Sequence, residues 1–315
     1  MIQPGALAIA EPTREVAELL GGMTFPAYRH LLALTPALRH RDMPDQPIVQ
    51  PIAIAAWAGP EVVGLIVGEI PIEGSGPAGG MPEILSVFVI AEWRGRGVAT
   101  ALVGALEEAL RARGQMRVSA VWMTGKSDVA AVEHILAKRG WLPPVTRAIS
   151  VRFTPEEAAR MPWFERVKLP ADKYEIFPWT ELRDDERNRI RRSHEAAPWI
   201  AAGLEHWKHD HYGFDPISSL GLRYEGAVVG WVINHRLSEG CVRFTCGFMR
   251  SDLSRRGRIL PLFTESIQRL AIAGIDECTF VTPLEYAEMA EFLRRRCARW
   301  AHYVGETRGS AKELT

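Results

Sequence analysis

The part of the sequence that most restricts the fold lies where a strand pattern changes into a helical one. Residues 83–90 read EILSVFVI, and this content of β-branched and aromatic residues predicts a β-strand. After a turn that contains Gly95 and Gly97, valine and leucine recur every four positions from Val98 to Leu110, which predicts an amphipathic helix. A strand that passes through two glycines set among arginines into a helix favours a fold with mixed elements.

The segments that follow continue this alternation of strands and helices. We predict strands at 118–123 and 146–153, and a helix at 128–139 that Gly140 closes. The order strand, helix, strand implies at least one parallel strand pair joined by a right-handed crossover. The fold class that we expect is therefore α+β (mixed α/β).

Composition limits the possible functions. The chain has 315 residues, 47% of them hydrophobic and 24% charged, which is typical of a globular protein long enough for two domains. Lysine plus arginine equals aspartate plus glutamate at 38 each, so the overall charge does not favour nucleic acid or a membrane surface as a partner. The first residues lack a secretion signal and no apolar run spans a bilayer, so we expect a cytoplasmic protein. The oligomeric state is left open.

Cysteines and histidines give little support for a metal site. Cys241, Cys246, Cys278 and Cys297 include no CxxC pair, which favours buried reduced thiols over zinc or disulfides. Residues 205–216, EHWKHDHYGFDP, lack the H-x-x-x-H spacing that sets two ligands on one helical face. We interpret this stretch as a polar, aromatic loop that either lines a pocket or connects two elements at the surface. No metal is expected.

The second half of the chain repeats the plan of the first half in outline. A proline-rich and charged stretch is followed by a helical pattern, several strands, and a basic turn, SDLSRRGR, that leads into another helix. A repeat of about 150 residues indicates a duplicated domain and is far too long for a solenoid. We predict domains at 1–153 and 173–315, with a linker at 154–172.

The turn between the strand and the helix of the first half has the chemistry of a phosphate site. The first amides of a helix have no partner in the helix, and its macrodipole adds partial positive charge there. Gly95 and Gly97 allow close approach of the backbone, and Arg94 and Arg96 add charge. Thr100 stands where a G-x-G-x-x-G loop needs a small residue, so the turn alone is also compatible with a glycine-rich connection bearing solvated arginines.

The segment from Glu83 to Leu110 resembles the GNAT acyltransferase superfamily. Its acyl-CoA pyrophosphate loop has the pattern Q/R-x-x-G-x-G/A in the same strand-to-helix turn, and Arg94 to Ala99 here reads RGRGVA. The resemblance implies tandem GNAT folds, each a mostly antiparallel twisted sheet with one splayed parallel strand pair flanked by helices. It also implies acetyl-CoA or another acyl-CoA as co-substrate.

The activity implied by this resemblance is transfer of an acetyl or short acyl group to a primary amine, with a small molecule as the favoured acceptor. The alternatives are a non-catalytic acyl-CoA-binding regulatory protein, and a GNAT-fold enzyme that acts by O-acyl transfer or acyl-CoA decarboxylation.

The resemblance also assigns residues to the co-substrate. The strand that carries Val87 is expected to splay from the strand at 118–123, so that pantetheine pairs with its backbone and a free N–H polarises the thioester carbonyl. The residues implied in binding are Val87, Phe88, Val89, Arg94, Gly95, Arg96, Gly97, Val98, Ala99 and Thr100.

Glu83 is the general base that the resemblance implies, because several GNAT members carry a glutamate at the start of the central strand. A solvent-facing glutamate is the alternative, and Glu69 is the second candidate. Many members protonate the thiolate with a tyrosine at the position that Leu136 occupies here, and leucine cannot donate. His134 projects from another helix face and is expected in the core or at the surface, which leaves solvent, Tyr28 or a tyrosine of the second half.

The second half carries a weaker version of the turn. In RRGRILPL, Arg256 and Gly257 match the first arginine and glycine of the pattern, but Ile259 and Pro261 replace the next two small residues. Proline offers no N–H, so we predict a degenerate copy without its own CoA site. The alternative is that the remaining arginines bind another anion. The run at 294–296 is typical of a solvated helix face.

Overall fold

The computed structural model describes residues 7–38, 48–72, 80–164, 168–209, 213–254 and 257–314. Two compact units are present: unit 1 comprises Met1–Arg147 and Thr307–Thr315, and unit 2 comprises Ala148–Glu306. None of the helices in the described ranges is both long enough and apolar enough to cross a membrane.

Strands and helices alternate along the chain as the sequence predicts. The strands are β1 (Leu7–Ala10), β2 (Val49–Ala58), β3 (Glu61–Pro71), β4 (Glu83–Val89), β5 (Arg117–Met123), β6 (Val145–Phe153), β7 (Tyr174–Pro178), β8 (Leu220–Tyr224), β9 (Ala227–Ser238), β10 (Cys241–Met249), β11 (Glu277–Pro283) and β12 (Tyr303–Glu313). The α-helices are α1 (Arg14–Leu19), α2 (Val98–Ala112), α3 (Val129–Lys138), α4 (Pro155–Ala159), α5 (Asp184–Ala196), α6 (Ser251–Ser254), α7 (Leu260–Ile272) and α8 (Ala287–Phe292).

The sheet of unit 1 has the strand order β1-β2-β3-β4-β5-β12. Its neighbours are antiparallel except for the parallel pair β4 and β5. The β4–β5 pairing ends at Ile84 and Ala120, whereas β4 stays paired with β3 as far as Val89. The expected mostly antiparallel sheet with one splayed parallel pair is therefore confirmed.

Helix α2 covers one face of this sheet because its apolar positions recur on one side. Val98, Leu102 and Leu106 are each at most 2% exposed and belong to one core with β2, β3 and β4. A Cβ added at Gly64 of β3 would lie 3.0 Å from Leu102, so the absence of a side chain allows the helix to approach closely. The opposite face packs against α1 and the 3-10 helix Pro26–Ala33.

The sheet of unit 2 follows the same plan, with the strand order β6-β11-β10-β9-β8-β7 and one parallel pair, β10 and β11. One face packs against α7, and the other carries a core of aromatic side chains that includes Trp179, Trp231 and Phe248. The duplication expected from the sequence is present in the fold.

The strand at the end of each sheet comes from the opposite half of the chain. Strand β6 follows β5 in sequence but pairs with β11, and the C-terminal strand β12 pairs with β5. Residues 148–153 therefore lie in unit 2 and not in the predicted domain 1–153, because Ile149, Val151 and Phe153 are buried in the core of unit 2. Residues 307–315 likewise lie in unit 1.

The described part of the predicted linker, 154–164 and 168–172, belongs to unit 2 and begins with a capped helix. The Thr154 hydroxyl accepts a hydrogen bond from the Glu157 amide, and the Glu157 carboxylate accepts one from the Thr154 amide. Ala158, Met161 and Phe164 are buried in the same core as α7. The scattered charge of this stretch reflects a short helix buried on one side only.

A buried carboxylate connects β12 to the helices of unit 1. Glu107 of α2 is 1% exposed and accepts hydrogen bonds from Arg139 at 2.6 Å, Trp141 at 2.8 Å and Lys312 of β12 at 2.6 Å. Burial pushes the pKa of Glu107 upwards, but these hydrogen bonds outweigh it, so the pKa is lowered.

Replacing this carboxylate should destabilise unit 1. Glu107→Ala leaves Arg139 and Lys312 without their buried partner, and we expect the free energy of unfolding in urea to fall by about 3 kcal/mol. Glu108→Ala, at the exposed neighbouring position, is the matched control and should change it by less than about 0.5 kcal/mol. Because the pKa is lowered, the difference between wild type and Glu107→Ala should be present above the ordinary carboxyl pKa and shrink as the pH falls through the folded value. Equal losses in the two variants would contradict this role.

Candidate functional site

The turn between β4 and α2 holds two residues in the left-handed conformation. Gly95 has φ +73° and Gly97 has φ +83°. A Cβ built at either position would meet no atom within 4 Å, so it is the backbone conformation and not crowding that requires glycine here. The turn is thus both tightly bent and open on its outer side.

The first turn of α2 presents amides that the helix itself does not use. Gly97 is the N-cap residue, and no side chain caps the helix. The Ala101 amide donates to the Gly97 carbonyl, so the N–H groups of Val98, Ala99 and Thr100 point out of the helix end. Together with the macrodipole, these amides make this end of α2 favourable for an anion.

The two arginines of the turn are held beside these amides. Arg94 donates from Nε to the Val89 carbonyl at 3.0 Å, and the Arg96 guanidinium lies over the Trp93 ring, 5.1 Å from its centroid. Both arginines are exposed. They add positive charge at the N-terminal end of α2 and remain accessible to solvent.

Backbone groups of β4 face the gap that opens towards β5. The Ile90 amide donates to Val63 of β3 at 3.0 Å. Because the direction of the N–H groups alternates along a strand, those of Val87 and Val89 are directed towards β5, beyond the last β4–β5 pair. Val87 is exposed, Phe88 half-buried and Val89 buried. An extended molecule can pair with this edge as an added strand does.

A pair of carboxyl groups lies at the other end of β4. Glu83, the first residue of β4, is in register with Glu69 of β3 and with Ser119 of β5. Glu83 is half-buried, and burial raises its pKa. The charge of Glu69 raises this pKa further, and Arg147 opposes the shift. A carboxylate with a raised pKa is a better proton acceptor than an ordinary one.

Tyr28 belongs to the same cluster, although no sequence pattern pairs it with Glu83. Burial raises the pKa of Tyr28, and the charges of Glu83 and Glu69 raise it further, so the phenol stays protonated at neutral pH. The residue lies on the 3-10 helix Pro26–Ala33, which packs on the face of β3 opposite α2. Its proximity to the two carboxylates results from packing alone.

The residues before Tyr28 form a wall beside β4. The hydroxyl oxygens of Thr24 and Ser86 are 2.6 Å apart. Phe25 is 50% exposed, and the Lys126 ammonium lies 4.9 Å from the centroid of its ring. The Phe25 ring also contacts Tyr28, with centroids 6.1 Å apart, so an exposed aromatic ring lies next to the tyrosine of this cluster.

Two residues considered for proton donation lie elsewhere. Leu136 is 5% exposed in the core of unit 1, so this position supplies packing and not a proton. His134 is exposed on α3, which agrees with the surface alternative. Neither position therefore supplies a proton donor for the thiolate. Tyr28 is the tyrosine whose pKa is raised by the charges of Glu83 and Glu69.

The corresponding turn of unit 2 lacks the features of the first. Helix α7 begins with Pro261 in its first turn, and this proline is buried and has no N–H to offer. A Cβ at Gly247 would lie 3.3 Å from Ile259, and Phe244 stacks on Phe280 with centroids 4.5 Å apart. The turn of this copy is therefore more crowded and offers one amide fewer than the turn of unit 1. Arg256 lies outside the described residues.

Part of the histidine-rich stretch is buried in the core of unit 2. His206 is fully buried, and its ring centroid lies 5.2 Å from Trp179 and 5.5 Å from Trp231. The expectation of a polar loop is therefore wrong for this residue, while Asp210 and His211 lie outside the described residues. Within the described ranges, no three His, Cys, Asp or Glu residues are grouped so as to hold a metal ion.

The cysteines are free thiols, as expected. Cys246, Cys278 and Cys297 are buried, and burial raises the pKa of each to about 12, whereas the partly buried Cys241 has a pKa of about 11. Thiols with such pKa values are poor nucleophiles at neutral pH.

Comparisons with known proteins agree with the geometry of unit 1. Residues 17–141 match the model of the acetyltransferase (GNAT) family. This span includes β4, the glycine and arginine turn, α2 and the cluster around Glu83. A search of curated proteins found no match to the chain.

Solved structures show the same fold over the whole chain. A tandem GNAT protein from the clavulanic acid biosynthesis pathway is 12% identical with TM-score 0.63, covering 98% of this chain and 99% of its own. A GCN5-related N-acetyltransferase from Sphaerobacter thermophilus is 15% identical with TM-score 0.56, covering 98% and 96%. A glucosamine N-acetyltransferase region of a fungal multi-domain GH3 β-N-acetylglucosaminidase is 12% identical with TM-score 0.58, covering 99% and 38%. At these identities the likeness concerns the fold.

Substitutions around Glu83 should move its pKa in opposite directions. Glu69→Gln removes a neighbouring negative charge, so the pKa of Glu83 should fall. Arg147→Gln removes an opposing positive charge, so the pKa should rise. Titration of the Glu83 carboxyl carbon by NMR in the two variants measures both changes. Shifts in the same direction would show that the two charges do not act on Glu83 as described.

Proposed function

We propose that this chain, in which residues 17–141 match the model of the acetyltransferase (GNAT) family, moves an acetyl or short acyl group from acyl-CoA to a primary amine of a small molecule. The family and the fold support acyl transfer from CoA in general. The observation that carries the proposal is that β4 joins two features: Glu83 begins it, and the uncapped turn of α2 follows its end.

In this proposal the amides from Gly95 to Thr100 hold the CoA pyrophosphate, and Arg94 and Arg96 add charge-assisted contacts. The fit is supported by the left-handed glycines, whose outer side is open, and by the absence of a capping side chain on α2. The N–H groups of Val87 and Val89 are directed into the gap beside β5, where pantetheine would pair with them. CoA supplies the acyl thioester.

Glu83 prepares the acceptor. A free amine with a pKa of about 10.4 is mostly protonated at neutral pH, and the ammonium form cannot attack a carbonyl carbon. Glu83, directly or through water, takes one proton from this ammonium group. The C–N bond then forms as the C–S bond breaks, and an N–H of β4 stabilises the negative charge that develops on the carbonyl oxygen. The nitrogen releases its second surplus proton to solvent, and solvent protonates the departing thiolate, because the leucine at position 136 cannot donate a proton.

The surroundings of Glu83 favour a small, positively charged acceptor. The charge of Glu69 attracts an ammonium group, and the half-exposed ring of Phe25 beside Tyr28 offers an aromatic surface. We place the reaction in the cytoplasm, since four free cysteines suit a reducing compartment.

One observation favours a second candidate function. The buried leucine at position 136 removes the proton donor used by many family members, which a non-catalytic acyl-CoA-binding regulatory protein would tolerate. Such a protein would bind acyl-CoA at the same turn, but it would not convert acyl-CoA to free CoA when amines are added. Acyl transfer to oxygen is distinguished by replacing each amine in the assay with the matched alcohol.

The role of the turn can be separated from its effect on stability. A non-glycine residue at positive φ costs roughly 1–2 kcal/mol. Gly97→Ala and Gly114→Ala introduce this cost at the two ends of α2, at φ +83° and +76°, so both should lower the free energy of unfolding similarly. Only Gly97→Ala should weaken CoA binding, by about tenfold in calorimetry, which corresponds to about 1.4 kcal/mol. Equal CoA affinities in the two variants would reject the turn as the binding site.

The role of Glu83 is tested by its effect on turnover. We expect Glu83→Gln to reduce kcat by about 10²–10⁴-fold with acetyl-CoA and the best amine of a panel, because a general base contributes this much. Its CoA affinity should not change. Glu61→Gln, at the exposed start of β3, is the matched control and should retain turnover. CoA binding without turnover in the wild type, for amines and alcohols alike, would support the regulatory protein instead.

A further inference from the structure

A cavity of about 400 Å³ opens in unit 2, and none of the residues that line it is assigned to acyl transfer. Its wall is made by the residues that follow α4, by Leu260 at the start of α7, and by the residues from the end of α8 to Trp300. This volume lies within the range of cavities that hold small organic ligands.

The walls of the cavity are aromatic. Trp163, Phe292 and Trp300 line it, and the rings of Trp163 and Phe292 are 5.5 Å apart between centroids at an angle of 55°. The Nε1 atom of Trp163 is buried and has no hydrogen-bond partner among the described residues.

The rim of the cavity is positively charged. Arg295, Arg296 and Arg299 line it, and no carboxylate does so among the described residues. Arg295 pairs with Glu291, and the Arg299 guanidinium lies over Trp300, 5.1 Å from the ring centroid. Arg296 has no ion pair in the described part of the chain. Leu260, which also lines the cavity, is the first residue of α7, so the macrodipole of this helix adds partial positive charge there.

An irregular helix produces this arrangement. The segment Leu293–Cys297 is a π-helix, a rare conformation that occurs often at functional sites. Its wider turn buries Leu293 and Cys297, at 0% and 2% exposed, and leaves the arginines between them outside. The run at 294–296 is exposed, as its charge predicts, but two of its members border a cavity and do not simply face solvent.

We propose that this cavity binds a small aromatic anion, namely a planar ring that carries a carboxylate or phosphate group. The ring would pack against Trp163 and Trp300, since aromatic rings stack and the cavity floor is apolar. Arg296 and Arg299 would hold the anionic group, because a guanidinium matches carboxylate and phosphate oxygens in two parallel hydrogen bonds. The site lies in the copy that has lost the phosphate turn, so it does not depend on the function proposed for unit 1.

Calorimetric titration of the full chain with benzoate and with phenyl phosphate tests the site. Saturating CoA is added first, so that the unit 1 turn does not take up the probe. We expect one equivalent of at least one probe to bind, and the tighter of the two identifies the anionic group. Arg296→Ala and Arg299→Ala should each weaken binding at least tenfold. Arg294→Ala, which removes an exposed arginine that does not line the cavity, is the matched control and should leave the affinity unchanged.

Three outcomes would overturn the proposal: no binding of either probe to the wild type, equal affinities in the Arg296→Ala, Arg299→Ala and Arg294→Ala variants, or inorganic phosphate binding as tightly as phenyl phosphate. The last would show that the aromatic walls contribute nothing. Arg296→Lys keeps the charge but loses the two parallel hydrogen bonds, so its affinity should be intermediate. Thermal unfolding of each variant establishes that it is folded, since exposed arginines should not alter the melting temperature.

Discussion

The antiparallel pairing of β5 with β12 is the interaction on which the candidate site of unit 1 depends. A strand that separates from one neighbour leaves unpaired backbone groups on that edge, and it stays in place only if its other edge is firmly held. All seven residues of β5 pair with β12, from Arg117 with Glu313 to Met123 with Thr307. The contact of Lys312 with the buried carboxylate of Glu107 fixes β12 in turn. The gap beside β4 exists because β5 is secured from the other side.

The two ends of strand β4 attract ligand groups of opposite charge. The turn that follows its last residue presents amides and arginines, which attract an anion, whereas Glu83 and Glu69 at its first residue attract a cation. Because β4 is paired with β3 at both of its ends, from Glu83 with Glu69 to Val89 with Gly64, these two preferences are held apart by the length of the strand. A molecule that bridges them must carry negative charge at one end and meet a positively charged partner at the other. This separation suits a reaction between two substrates better than binding of one compact ligand.

Local patterns in the sequence predicted β4, the turn and α2, because each depends on neighbours within a few residues. The exchange of β6 and β12 could not be predicted, since the alternation of Ile149, Val151 and Phe153 fits the edge of either sheet. Strand β12 has no strand pattern: YVGETRGSAKE contains two glycines and several charges, and only its pairing and Lys312 define it. Tyr28 joins the base cluster through packing that spans much of the chain. Burial of His206 among tryptophans was the one feature that the aromatic content of the segment could have indicated.

The exchange of the two end strands also has a consequence for how the protein is made. Strand β5 is synthesised before every strand of unit 2, whereas β12, the strand that secures it, is synthesised after all of them. The sheet of unit 2, in contrast, has all of its strands once β11 has emerged. The sheet of unit 1 is therefore completed after the sheet of unit 2, although most of unit 1 is translated first. Until β12 pairs with β5, the unpaired edge of β5 is exposed to other nascent chains.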